Sequence, residues 1–334
     1  MSHGCAHFKG RAHAIYYLFA LVRSVELSSL IILAAIIFGS IPMRVRAQTW
    51  SSHTSPRSLG LSGANVAAPR DGRDANPALL PDTSFDLGID FMPFPSGLED
   101  SWTAGAAADD PIDEQNSIGV SYDKFQYGSI YSSESFAAQY SRAFGNERTN
   151  DARSTNGTDS IEHSETTPTL KGASAHNNDA LAVAGVRLRY SSDTYGDGQY
   201  YYPLDEISVD VGAVLRLATQ LSLGVAIDDL ATLYRSQDIG TDVRSAALGL
   251  TYRPIGELAL HAAIESMTGS PLDVLGGIEY DLEPSITLRV GIESLTDNFS
   301  GGVGLHYDAF LIDFSVVRHP ILGDELSFGV ITKL

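Results

Sequence analysis

Beyond residue 82 the chain is organised with a period of two. In 207–217 the apolar set is Ile207, Val209, Val211, Ala213, Leu215 and Leu217, while Asp210, Gly212 and Arg216 fall between them. In 221–228 Leu221, Leu223, Val225 and Ile227 alternate with Ser222, Gly224, Ala226 and Asp228. The same form recurs in 258–265, 286–293 and 299–308, and again in 85–91, 117–124, 136–144, 246–253, 274–282, 310–316 and 326–334. Alternation at this spacing puts successive side chains on opposite faces of a β-strand. Helical spacing is scarce in the same region.

Each such strand has a wet face and a dry face, and a soluble β-sandwich would show the same pattern strand by strand. Three features favour lipid on the dry side. Many segments approach the roughly 9–11 residues that a tilted strand needs to cross a bilayer, whereas globular strands cluster near about five or six. They follow one another through alternating links: 254–256, 283–284 and 308–309 are tight, 145–178 and 191–204 long, as in barrels with short turns at one rim and loops at the other. Tyr190, Tyr252, Tyr280 and Tyr307 stand near strand ends, where aromatic girdles meet the membrane interface.

An open sheet edge in hydrocarbon would leave backbone groups unpaired at several kcal/mol each, so the sheet must close. The pattern therefore predicts an all-β chain: a closed antiparallel transmembrane β-barrel over 83–334, with about fourteen strands to respect the even-number rule. Pro93, Pro95 and Pro111 interrupt the pattern and leave 95–133 hard to divide into strands. The polar, aperiodic tract 145–178 reads as a long extracellular loop. Replacing the lipid-side Val211 with Arg is expected to cost about 2–4 kcal/mol near the midplane, and the lumen-side Asp210→Asn change to be mild.

The first 47 residues are different. Lys9, Arg11 and Arg23 precede an uncharged apolar run over 27–41, and Val45-Arg46-Ala47 follows it. A basic start, a short apolar core and a small residue at the cut define a secretory signal peptide over 1–47, cleaved after Ala47. The run is short for a membrane-spanning helix of about 20 residues. Residues 48–82 then form an N-terminal periplasmic or plug-like segment.

Composition narrows the function. The chain of 334 residues carries a formal charge of -19, and losing the leader leaves 17 basic against 40 acidic residues. That balance argues against nucleic-acid binding, which needs a basic footprint. Cys5 is the only cysteine and departs with the leader, which excludes an internal disulfide framework, a cysteine zinc site and a lipid-anchoring cysteine after the cut.

Candidate chemistry is sparse. Nucleophile-elbow, zincin and phosphate-loop motifs are absent, and no catalytic residue, cofactor site or metal site is expected. His163, His176, His261, His306 and His319 are scattered. His261 and His306 fall on wet faces, where a hydrogen-bonded lumen histidine is the expected role. The wet faces also carry Asp210, Arg216, Asp228, Glu265, Glu279, Asp281, Arg289, Glu293 and Asp313. Opposite signs there would pair and close the lumen, whereas an excess of carboxylates in an open pore would favour cations. The Asp193–Gly198 stretch has carboxylates that would suit calcium but lacks the further ligands of an EF-hand, so an ordinary turn is expected; Tyr200, Tyr201 and Tyr202 beside it read as girdle. Asn156-Gly157-Thr158 matches a glycosylation sequon with little meaning in a bacterium.

The segment Ser55-Pro56-Arg57-Ser58-Leu59-Gly60-Leu61-Ser62-Gly63-Ala64, followed by Asn76-Pro77-Ala78, resembles the opening of the PorV/PorQ family of outer-membrane proteins, relatives of FadL-type barrels. The closing passages Gly302-Val303-Gly304-Leu305, Ile312-Asp313-Phe314 and Leu322-Gly323 through Ser327-Phe328 are similar too. The last residue is Leu334 where family members carry an aromatic. The resemblance implies a fourteen-strand barrel in the bacterial outer membrane with its N-terminal segment near or inside the lumen. It also implies a structural or transport role, as a PorV/PorQ-like component associated with protein secretion through the type IX system. Secretion subunits or secreted cargo would be partners beside the outer-membrane lipid. The alternatives are a FadL-like transporter of hydrophobic small molecules, with such a molecule as ligand, and a secreted soluble β-sandwich or adhesin. In each of these readings the protein is not an enzyme.

Overall fold

The computed structural model describes residues 55–69, 74, 76–78, 84–93, 101–145, 181–196, 201–236, 244–320 and 323–334. The expected signal peptide, 1–47, falls outside them.

Fourteen antiparallel strands form one closed sheet. In chain order they are β1 (Asp86–Pro93), β2 (Ser101–Pro111), β3 (Asn116–Tyr127), β4 (Tyr131–Phe144), β5 (Ala182–Gly196), β6 (Tyr201–Ala218) and β7 (Leu221–Arg235). They continue with β8 (Ser245–Ile255), β9 (Leu258–Met267), β10 (Asp273–Glu283), β11 (Ile286–Glu293), β12 (Asn298–Tyr307), β13 (Phe310–His319) and β14 (Gly323–Lys333). Each strand pairs with its neighbours in sequence, and β1 closes the ring on β14 with Ile89 opposite Val330 and Phe91 opposite Phe328. Closure leaves the ring without an open edge, as the cost of bare amides in hydrocarbon demands.

The dry faces point outward. Val120, Phe136, Leu188, Val225, Leu248, Ile264, Ile278, Val290, Phe314 and Phe328 are all exposed, on ten different strands. The facing positions inward are buried and small or polar, such as Ser121, Gln139, Arg187, Asp210, Thr251, Glu279, Arg289 and Asp313. This is a soluble protein turned inside out, and it overturns the β-sandwich alternative, whose apolar faces would meet each other across two sheets. No helix among the described residues is long and apolar enough to span a membrane; the strands do so. Tyr190, Tyr280 and Tyr307 stand outward and exposed while Tyr252 is half-buried, and Phe91 stacks on Trp102 with ring centres 6.5 Å apart.

The region 95–133 resolves because its prolines bound the strands. Pro93 ends β1 opposite Trp102, and Pro111 ends β2 opposite Ser117, positions where a missing N–H is tolerated. The turn between β2 and β3 is tied by Asp113, whose carboxylate accepts from the backbone N–H groups of Gln115 and Asn116 at 2.8 Å each. Those bonds hold Asp113 below the ordinary carboxylate range.

Two expectations about loops need correction. Most of 191–204 is strand: β5 runs to Gly196 and β6 starts at Tyr201, paired residue for residue through Tyr195 and Tyr202. Ser191, Ser192 and Thr194 interrupt the apolar alternation without interrupting the ladder. The second correction concerns 145–178. Strand parity returns β4 to the rim that carries the start of β1 and the end of β14, and β5 departs from it. The Ala143 N–H reaches the Gln115 carbonyl at 2.7 Å, and the Arg216 N–H reaches the Leu181 carbonyl at 2.8 Å. Both ends of the segment therefore lie on the rim of the tight turns 112–115, 219–220, 256–257, 284–285 and 308–309. In outer-membrane barrels that rim is periplasmic, so the extracellular assignment is reversed. The interior of the segment falls outside the described residues.

Candidate functional site

The lumen is occupied by the chain's own N-terminal segment. A single helical turn, α1 (Pro56–Gly60), is started by Ser55, whose hydroxyl accepts the Ser58 N–H at 3.2 Å and donates to Asp74 at 3.0 Å. Serine followed by proline is a favourable start, because the cap satisfies one orphan N–H and proline has none to lose. A second tie is Asn76, the turn opener. Its Oδ1 accepts the Ala78 N–H at 2.9 Å, and its Nδ2 reaches the Val66 carbonyl at 2.8 Å and the Ala213 carbonyl of β6 at 3.2 Å.

The wall accommodates this plug through glycines on its wet faces. A Cβ on Gly302 would meet Gly60, one on Gly277 would meet Leu61, and one on Gly329 would meet Pro56. On the opposite arc, a Cβ on Gly185 would strike the Pro77 carbonyl, on Gly212 the Asn76 side chain, and on Gly224 the Val66 carbonyl. Plug and wall thus touch backbone to backbone on both sides of the lumen, which only glycine permits.

Charge adds to these contacts. Arg57 is 4 % exposed and sits on Glu279 of β10 with Nε 3.0 Å from Oε2. Glu279 also accepts Arg289 Nε at 3.0 Å, and Arg289 Nη1 reaches Asp313 at 2.5 Å. Across the plug, Asp74 lies 4.0 Å from Arg57, and its carbonyl accepts Arg187 Nη2 at 3.1 Å. Arg187 and Arg189 both lie 3.3 Å from Asp210, and Arg189 also reaches Asp229 at 2.5 Å. A connected chain of ion pairs and hydrogen bonds therefore runs from β13 through the plug to β7. Of the wet-face charges, Asp210, Glu279, Arg289 and Asp313 are paired with opposite charges, as the first of the two expectations had it.

The chain of charges ends at an irregularity in the wall. Between Val209↔Ala231 and Val211↔Ile227 the β6–β7 ladder advances two residues on β6 and four on β7. Asp228, Asp229 and Leu230 form the bulge, with Asp229 in the left-handed region at φ 53. The Asp229 N–H, displaced from the ladder, donates to Asp210, and Asp228 accepts the Ser245 hydroxyl at 2.9 Å. Leu230 is exposed on the outer face. A break of this kind in a barrel wall re-aims side chains and ends pairing.

The solved structures similar to this chain are outer-membrane barrels. CymD, a monoaromatic hydrocarbon channel, matches with a TM-score of 0.58 at 9% identity, over 86% of this chain and 99% of that one. The Ralstonia pickettii toluene transporter TbuX matches with a TM-score of 0.48 at 11% identity, over 84% and 97%. The Acinetobacter baumannii outer membrane protein Omp33 matches with a TM-score of 0.46 at 8% identity, over 76% and 100%. No family model matches the chain, and no curated protein matches it. The likeness to CymD establishes the fold, a closed barrel of the outer-membrane kind.

The other residues singled out in the sequence are placed as follows. His261 is buried in the lumen beside Thr251, with 3.0 Å between Nδ1 and Oγ1. His306 and His319 stand on β12 and β13; His163 and His176 lie outside the described residues. Asp193 accepts the Tyr131 hydroxyl at 3.0 Å, while residues 197–200 fall outside the description, as do the side chains of Tyr201 and Tyr202. Among the described residues no group of three acidic, histidine or cysteine side chains is arranged to hold a metal. Arg57, the hub of the plug, was not singled out for this role. Its sequence setting, between Ser-Pro and Gly-x-x-Gly, does not show its burial or its distant partner Glu279.

Proposed function

We propose that this protein is an outer-membrane transporter of small hydrophobic molecules, with passage through the wall at the β7 bulge because the plug closes the axis. One observation carries the reading: an ion-paired segment crosses the lumen, and its chain of contacts ends at a break that is, among the described residues, the one with two extra residues in the ladder, Asp228–Leu230. The shared fold with the hydrocarbon channel CymD supports it. On this reading the chain does no bond chemistry, and its lasting partner is outer-membrane lipid. The secretion role implied by PorV/PorQ resemblance has no comparable observation behind it.

Proteoliposomes test the proposal. Purified full-length protein should admit toluene or a fluorescent fatty acid and exclude a sugar of similar size. Leu230→Arg should lower that uptake without changing heat-modifiable gel migration. A folded barrel that admits no apolar solute would sink the proposal, and co-purification with secretion subunits would then restore the other reading.

A further inference from the structure

Strands β3–β6 have 12, 14, 15 and 18 residues, against 8–11 for β8–β14. Toward the rim opposite the tight turns, the two faces of these long strands exchange character. Tyr122, Phe136, Tyr190 and Ile207 are successive partners and form the last apolar tier of the outer face. Two residues further, the outer tier is Lys124, Glu134, Ser192 and Asp205. Lys124 pairs with Glu134, and the Tyr190 hydroxyl donates to Asp205 at 3.0 Å. Charged and hydroxyl side chains on that tier mark the end of contact with hydrocarbon.

The inner face changes in the opposite sense. Tyr127, Tyr131, Tyr195 and Tyr202 hold one inward register row, each directly opposite the next. One tier below, Phe125, Ser133 and Asp193 are likewise successive partners. The ring centres of Tyr131 and Tyr195 are 4.9 Å apart, and those of Phe125 and Tyr131 are 5.5 Å apart. Tyr195 stays 49 % exposed, so the row is open to water. One carboxylate belongs to it: Asp193 accepts the Tyr131 hydroxyl at 3.0 Å and has no basic partner among the described residues. Lys124 is held on the outer face by Glu134, and Arg235 is held by Glu206 at 2.6 Å.

The faces of aromatic rings carry negative potential, and the carboxylate adds to it. A neutral apolar molecule laid on this row would cover Asp193 without pairing it, at the desolvation cost of a bare anion. An inorganic cation would need several oxygen ligands, which ring faces do not supply. An alkylated ammonium ion meets the rings and the opposite charge together. We propose that Phe125, Tyr131, Tyr195 and Asp193 form a binding site at the mouth of the barrel for an organic ammonium ion, which lies over the tyrosine rings with its charge beside the carboxylate.

The test compares choline with its uncharged isostere 3,3-dimethylbutan-1-ol. Calorimetry on the full-length protein uses a maltoside detergent, which carries no ammonium group of its own. Choline should saturate the protein and bind about tenfold more tightly than the alcohol. Tyr195→Ala and Asp193→Asn should each weaken choline binding by about fivefold or more, with heat-modifiable gel migration unchanged. Tyr195 is exposed, so its variant decides the matter even if Asp193→Asn fails to fold. Tyr195→Phe, which keeps the ring, should bind as the wild type does, and Asp205→Asn, on the outer face, should change nothing. Equal affinity for choline and the alcohol would overturn the proposal in favour of a merely apolar surface. Absence of saturation by choline, full affinity in Tyr195→Ala, or loss of binding in Tyr195→Phe would overturn it too.

Discussion

Asp229 donates its main-chain N–H to the Asp210 carboxylate at 2.9 Å. The bond joins a residue expelled from the β6–β7 ladder to a side chain that also holds Arg187 and Arg189. It follows that Asp210, fully buried, is an anchor of the wall, and the mildness expected for Asp210→Asn from its wet-face position does not survive. Removing that charge strands arginines in a closed lumen, at a cost of about 3–5 kcal/mol. Urea titration of the protein folded in micelles should show the loss. Val211→Arg should cost about 2–4 kcal/mol if it sits near the midplane, so both neighbours are intolerant, one through lipid and one through charge.

Arg57 should behave as a latch. Arg57→Ala removes the ion pair that ties the plug to Glu279 on the wall and the link from Arg57 to Asp74 within the plug. In planar bilayers the wild-type protein should be mostly closed, while the variant should show frequent openings of higher conductance. The exchange Arg57→Glu with Glu279→Arg should restore part of the closure. Conductance identical in all three would show that the glycine contacts alone hold the plug.

Those contacts make their own prediction. Gly212→Val would drive a side chain into Asn76 and Pro77, and Gly224→Ala would press on Val66, so each should displace the plug. Protease cleavage within 48–82 in the folded barrel should become detectable. Gly256→Ala, in a turn with open space around it, should change stability by no more than about 0.5 kcal/mol. Cleavage at the same rate in all of them would argue that the plug yields easily.

The alternation of residues such as Val209, Asp210 and Val211 made strand, face and closure legible, because a membrane barrel writes its architecture as a period of two. Three features were not legible. Asp228-Asp229-Leu230 reads as an ordinary strand end, since a bulge is decided by the partner strand. Arg57 reads as one more charge, since its partner Glu279 is distant in sequence. Ser191-Ser192 reads as loop by propensity, although the ladder with β6 overrides it. The tract 145–178 was recognised as a segment apart, yet its side of the membrane depends on counting every strand before it, and the prolines at 93 and 111 obscured that count.

That count gives the last prediction. Cys5 is the one cysteine of the sequence, so in a Cys5→Ser background single introduced cysteines report topology without background. Ser160→Cys, within 145–178, should resist a membrane-impermeant maleimide in intact cells and react once the outer membrane is opened. Thr268→Cys, in the β9–β10 loop at the opposite rim, should react in intact cells. The physical basis is parity: four strands precede the segment, so the chain must be back on the side from which it began. Labelling of Ser160→Cys in intact cells, with Thr268→Cys protected, would mean that the barrel sits inverted relative to the short-turn rule. Labelling of both would mean that a strand before residue 145 does not cross.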